Sequence, residues 1–102
     1  MAQLVVMYKT PADPAAFDAH YFQTHVPIAK GIPGLKQYDV STGPVTGPGG
    51  PSDVHLIATL HFDSLADIQA AFASAEGQAA SADMANFAQA GAEMFILETR
   101  TV

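Results

Sequence analysis

Four histidines (His20, His25, His55 and His61) and three tyrosines (Tyr8, Tyr21 and Tyr38) are the side chains of this sequence best suited to moving a proton or donating a hydrogen bond near neutral pH. Cysteine is absent, which removes disulfides, thiolate nucleophiles, cysteine-ligated zinc and iron–sulfur clusters. The acids are scattered with no close pair, and neither G-x-S-x-G nor H-E-x-x-H occurs. The stretch GPVTGPGGPS at 43–52 is glycine-rich, but its prolines lack N–H groups and it leads into a strand, so it is no phosphate loop. No metal site and no cofactor is expected. Lys9, Lys30, Lys36 and Arg100 stand against ten acids, for a net charge of −6. That balance provides no basic patch for nucleic acid and is repelled by anionic lipid.

The elements that must position these groups follow from pattern. A chain of 102 residues, 49% hydrophobic and 14% charged, is expected to fold as a single domain spanning 1–102. No apolar run approaches a membrane span and no signal peptide is evident, so a soluble, cytoplasmic protein is expected. Residues 3–9 (QLVVMYK) read as a strand closed by Thr10-Pro11. Asp13-Pro14 offers an N-cap and a proline at the first helical position, opening a helix from Pro14 to about Ala29. After Pro33-Gly34, residues 35–42 form a second strand, and 43–52 a mobile surface loop. Residues 54–62 (VHLIATLHF) alternate cleanly, with Val54, Leu56, Ala58, Leu60 and Phe62 on one face and His55, Ile57, Thr59 and His61 on the other. Ser64 and Asp67 open a second helix carrying Leu65, Ile68, Phe72 and Ala75, which Gly77 interrupts. Asp83 is placed to cap a further turn with Met84 and Phe87, and 92–102 is the last strand. The order βαββαβ predicts an α+β, ferredoxin-like fold: a four-stranded antiparallel sheet with both helices on one face. The other face still carries apolar residues and calls for a partner, so a homodimer is expected.

On a wheel advancing about 100° per residue, His25 falls between Tyr21 and Ala29 in the middle of the first helix's apolar arc. His20 falls about 140° away, beside Ala16 and Thr24, and faces water on that reading; the pair lacks the spacing of three or four that a shared ligand needs. His25 is either a core histidine satisfied by a carbonyl freed at Pro27, or a proton carrier lining a cleft between helix and sheet. Tyr21, one turn earlier, is the best-placed donor; Phe22, Tyr38 and Phe72 are the candidate substrate-binding side chains. His55 and His61 lie six residues apart, roughly 20 Å along a strand, too far to share a small substrate. If the first and third strands run parallel and the first helix returns antiparallel to them, His25 lies near the start of the third strand, which favours His55 as its partner. If instead the apolar face of that strand meets the helices, His55 points away.

The segment Tyr21-Phe22-x-x-His25-x-Pro27-Ile28-Ala29, followed by Pro33-Gly34-Leu35-x-x-Tyr38, resembles the signature of the EthD-like family of the dimeric α+β barrel superfamily. Asp83-x-x-x-Phe87 is similar to the family's C-terminal portion. The resemblance implies a ferredoxin-like monomer whose sheet pairs with a second copy to form a barrel with helices outside. Name-giving members accompany an oxidative system that degrades ethyl tert-butyl ether. Related barrels include cofactor-free monooxygenases, polyketide cyclases and lactone isomerases, in which histidines act on protons. His25 matches the family's H-x-P motif, and the loop at 43–52 is longer than the family needs.

Two uses are consistent with these residues. One is a cofactor-free enzyme, an oxidoreductase, cyclase or isomerase acting on an aromatic or lactone-like carbon acid, with His25 as general acid or base, Tyr21 or Tyr38 as donor and His55 orienting. The other is a non-catalytic accessory protein that binds a hydrophobic small molecule for a partner oxidative enzyme.

Overall fold

The computed structural model describes residues 1–102. Four strands, β1 (Ala2–Lys9), β2 (Gln37–Val40), β5 (Val54–Phe62) and β6 (Ala92–Glu98), form one sheet in the order β2-β5-β1-β6, antiparallel throughout. Helices cover one face of this α+β, ferredoxin-like unit: α1 (Pro14–His20), a π-helical turn (Tyr21–His25), α2 (Val26–Lys30), α3 (Leu65–Ala73) and α4 (Ala75–Phe87). Strict alternation in β1 puts Ala2, Leu4, Val6 and Tyr8 into the core beneath them. Leu56, Ala58, Leu60 and Phe62 of β5 do the same, joined from above by Phe17, Tyr21, Ile68, Ala71 and Phe87.

The opposite sheet face carries Val5, Met7, Ile57, Phe95 and Leu97 in cross-strand register, with His61 Nε2 held 2.9 Å from Asp39 Oδ2 at its edge. Phe95 is 47% exposed there.

Local chemistry sets the boundaries. Asp13 accepts from Ala16 N and Pro14 starts α1; Ser64 accepts from Asp67 N at the start of α3. Gly34, at a φ of +83°, makes the turn after α2 that a side chain would strain. Ser74 ends α3 and caps α4 through Gly77 N, so the break comes three residues before the glycine. Within residues 43–52 a small hairpin forms from β3 (Thr46–Gly47) and β4 (Gly50–Pro51), tied by Ser52 Oγ donating to Val45 O.

Two expectations are corrected. β1 and β5 are antiparallel, so the start of β5 lies beside the end of β1 and the start of α1, far from the late helix that bears His25. The pairing also shifts register between Tyr8 and Lys9: Tyr8 faces Leu56 and Lys9 faces Val54, leaving His55 as an extra residue. Such a bulge re-aims a side chain. His55 leaves the face that alternation assigns it and packs on the helix side, its ring 4.9 Å from Phe17 and its Nε2 2.8 Å from Asp18 Oδ1.

Candidate active site

Pro27 has no N–H and its ring crowds the carbonyl four residues back, so the helix around it cannot keep regular i→i−4 bonding. The chain widens instead: Val26 N–H bonds the carbonyl of Tyr21, five residues back, through the π-helical turn Tyr21–His25. Residues five apart, separated by about 140° on an α-helix, come onto one side of this wider turn. His20 and His25 therefore both face α4, and both reach Asp83.

Asp83 is the residue that sequence reasoning placed in the wrong role. It sits inside α4, caps nothing, and is 7% exposed. Its Oδ1 accepts from His20 Nε2 at 2.8 Å and from Asn86 Nδ2 at 3.0 Å, and its Oδ2 accepts from His25 Nδ1 at 2.9 Å. His20 is half-buried, its ring stacked on Phe87, rather than directed into water. A sequence signal existed: Asp83 and Phe87, four apart on one face, contact His20 and His25 together.

His25 is 5% exposed, and loss of hydration pushes its imidazole below the ordinary value, against the opposing pull of Asp83 and with a further lowering from His20. Its resting form at neutral pH is uncharged. Desolvation pushes Asp83 up, but the hydrogen bonds from Asn86, His20 and His25 outweigh it and hold the carboxyl below its usual range. With Nδ1–H committed to the carboxylate, His25 presents the lone pair of Nε2. That atom has no protein partner, and no sealed side-chain nitrogen or oxygen in the structure lacks one, so Nε2 opens onto the cavity that His25 lines.

This cavity, of about 50 Å³, lies between the helices and the sheet. Leu60, Phe62, Phe72 and Met84 make it apolar, and Met94 of β6 stands at its margin. Tyr8 and Tyr38 bring hydroxyls to it. The Tyr21 and Tyr38 hydroxyl oxygens are 2.6 Å apart. Tyr21 is fully buried with Tyr38 as its one partner, so Tyr21 donates and the Tyr38 proton is free for the cavity. The Tyr8 hydroxyl has no protein partner and opens there by the same reasoning as Nε2. Desolvation raises all three tyrosines, so they are neutral donors.

Of the side chains singled out in the sequence, the structure brings His25, Tyr38 and Phe72 to one cavity. Tyr21 lies behind Tyr38, Phe22 is 48% exposed beside Tyr21, and His55 is held by Asp18, seven residues before His25. His61 is on the opposite sheet face. Tyr8 is the donor that spacing alone did not favour.

Residues 9–91 match the model of the EthD domain. The chain is 43% identical over 103 residues to an uncharacterized 11.0 kDa protein from the thcB–thcC intergenic region of Rhodococcus erythropolis, covering all of this chain and 98% of that one. It superimposes on a crystal structure of an ethyl tert-butyl ether d (EthD) family protein from Bacillus halodurans with a TM-score of 0.90 and 35% identity, covering 98% of this chain and 99% of the other. SnoaB, a cofactor-independent oxygenase from Streptomyces nogalater, shares the fold at a TM-score of 0.71 and 12% identity, covering 99% and 94% of the two chains. By the extent of the domain match and the identity to these relatives, the chain belongs to the EthD family.

Proposed function

We propose that the protein is a small-molecule enzyme in which His25 Nε2 takes a proton from a carbon acid bound in the apolar cavity. The substrate C–H bond breaks, Nε2–H forms, and the electron pair moves onto a carbonyl or phenolic oxygen held by Tyr38, with Tyr8 as second donor. Asp83 fixes the ring and offsets the charge of the imidazolium. In an isomerisation the proton returns to a different carbon. In a cyclisation the carbanion adds to a carbonyl of the same molecule, forming the ring C–C bond, and Nε2–H protonates the resulting alkoxide. In an oxidative variant dioxygen is the oxidant, taking the carbanion's electron pair to form a C–O bond and a peroxide that receives the proton. The proton abstraction uses only the chain's own side chains. The single observation that carries the reading is a buried imidazole tied at Nδ1 to a carboxylate and lining, together with Tyr8 and Tyr38, one apolar cavity. SnoaB, a cofactor-independent oxygenase on the same fold, is consistent with it.

A cavity of about 50 Å³ is smaller than the ~150 Å³ that admits benzene. A ring-sized substrate thus enters by displacing the adaptable side chains Met84, Met94 and Phe72. The reading includes a homodimer joined through the open sheet face, whose Val5, Ile57, Phe95 and Leu97 would be covered. It also includes a cytosolic location, with which the lack of cysteine agrees; no helix is long and apolar enough to cross a membrane.

The test is washing-in of deuterium from D2O, followed by NMR, on a panel of enolisable lactones and hydroxylated aromatic ketones. Exchange by wild type that is lost in His25→Gln supports the reading. Exchange that persists in His25→Gln overturns it. Binding without any exchange favours the second reading, a carrier that holds a hydrophobic ligand for a partner oxidative enzyme, for which the mainly apolar lining speaks.

A further inference from the structure

His20 is unused by the mechanism above, yet it shares a carboxylate with the base. We infer that His20 is a positioning residue that sets the basicity of His25, because the two imidazoles are coupled through the single charge of Asp83. The inference rests on the reading of His25 as the proton carrier.

Asp83 accepts three N–H groups, from His20 and Asn86 on one oxygen and from His25 on the other. Those bonds fix both neutral tautomers: His20 carries its proton on Nε2 with Nδ1 bare, and His25 carries its proton on Nδ1 with Nε2 bare. His20, with its side chain 28% exposed, can take a second proton from water; His25 takes one from the cavity. One carboxylate offsets one imidazolium. The groups facing the pair are Asp83 of α4, Tyr21 on the π turn, Tyr8 of β1 and Tyr38 of β2; the tyrosines stay neutral, and both ion pairs of Asp83 are to these histidines. A second positive charge on the pair therefore has no further counter-charge, and like charges disfavour each other. When water protonates His20 at Nδ1, His25 is held neutral and weakened as a base. Coupling of this kind is reciprocal.

Titration of the imidazoles by NMR tests this without a substrate. Wild type is compared with His20→Gln and His25→Gln, whose amide N–H keeps a donor to Asp83 but does not titrate. In His20→Gln the His25 midpoint rises by about one pH unit. A His25 curve that keeps its midpoint in His20→Gln overturns the inference. His20→Asn replaces His20→Gln if that variant fails to fold. Coupled titration with deuterium exchange intact in His25→Gln rejects the base assignment alone; independent titration with that exchange abolished rejects the coupling alone.

Discussion

The Tyr21 and Tyr38 hydroxyl oxygens lie 2.6 Å apart, and because Tyr21 is fully buried with Tyr38 as its one partner, the arrangement that satisfies its proton has Tyr21 donating and the Tyr38 proton facing the cavity. The relationship is directional. Removing the acceptor strands a buried donor, whereas removing the donor leaves Tyr38 able to serve a ligand.

Phenylalanine substitutions separate the three tyrosines. Tyr38→Phe is expected to lower stability by about 1–3 kcal/mol, because Tyr21 loses its one partner, and also to weaken ligand binding. Tyr8→Phe, which removes a hydroxyl with no protein partner, leaves the unliganded protein as stable or slightly more so while still weakening binding. Urea denaturation with and without a bound lactone or aromatic ketone distinguishes the two.

Asp83→Asn keeps the shape but removes the charge that His25 needs when protonated. The His25 midpoint should fall further below the ordinary imidazole value, and deuterium exchange should drop by about tenfold or more, since a positioned base contributes ~10²–10⁴. Imidazole NMR together with exchange rates checks both.

Stability should fall on acidification in two stages. Burial lowers His25 relative to its ordinary 6.5, so the unfolded chain binds the proton first and stability is lost as pH drops below that value. Asp83 is lowered from 3.8 by its hydrogen bonds, and its contribution is lost as pH falls through the carboxylate range. Urea midpoints between pH 8 and about 2 should decline in wild type and show a flatter upper stage in His25→Gln.

Gly77→Ala should destabilise the protein although alanine favours a helix. A Cβ there would overlap the backbone carbonyl of Ala71, which cannot swing aside. An overpacking cost of about 1–3 kcal/mol outweighs a propensity gain of about 1 kcal/mol. Thermal unfolding reads the balance.

Phe95→Glu places a charge in the middle of the open sheet face, next to Val5. Sedimentation should show a dimer for wild type and a monomer for the variant, with the His25 titration unchanged. A wild-type monomer at micromolar concentration would reject the proposed assembly.

The sheet was readable because a period of two leaves its mark in β1 and β5, and proline, aspartate and serine announce the helix starts. His25 was readable because it interrupts an apolar arc. His20 and Asp83 were not, for a geometric reason: a wheel at a fixed 100° misstates the angle between residues on either side of the widened turn, so His20 falls about 140° from His25, and an aspartate four residues from an aromatic looks the same as a cap. His55 was misread because a bulge changes the parity of a strand without changing its composition, and because the antiparallel pairing set the start of β5 against Phe17 and Asp18 rather than against His25.

The π turn makes the site a matter of counting as much as of chemistry. Deleting one residue between Tyr21 and His25 would return the helix to regular winding with the histidines four apart and still on one face, whereas inserting one would, in a regularly wound helix, set them six apart, about 120° from each other, and send one off Asp83 although both imidazoles and the carboxylate remain. Among relatives of this chain, the spacing between the two histidines is thus a better marker of a shared counter-ion than the presence of either.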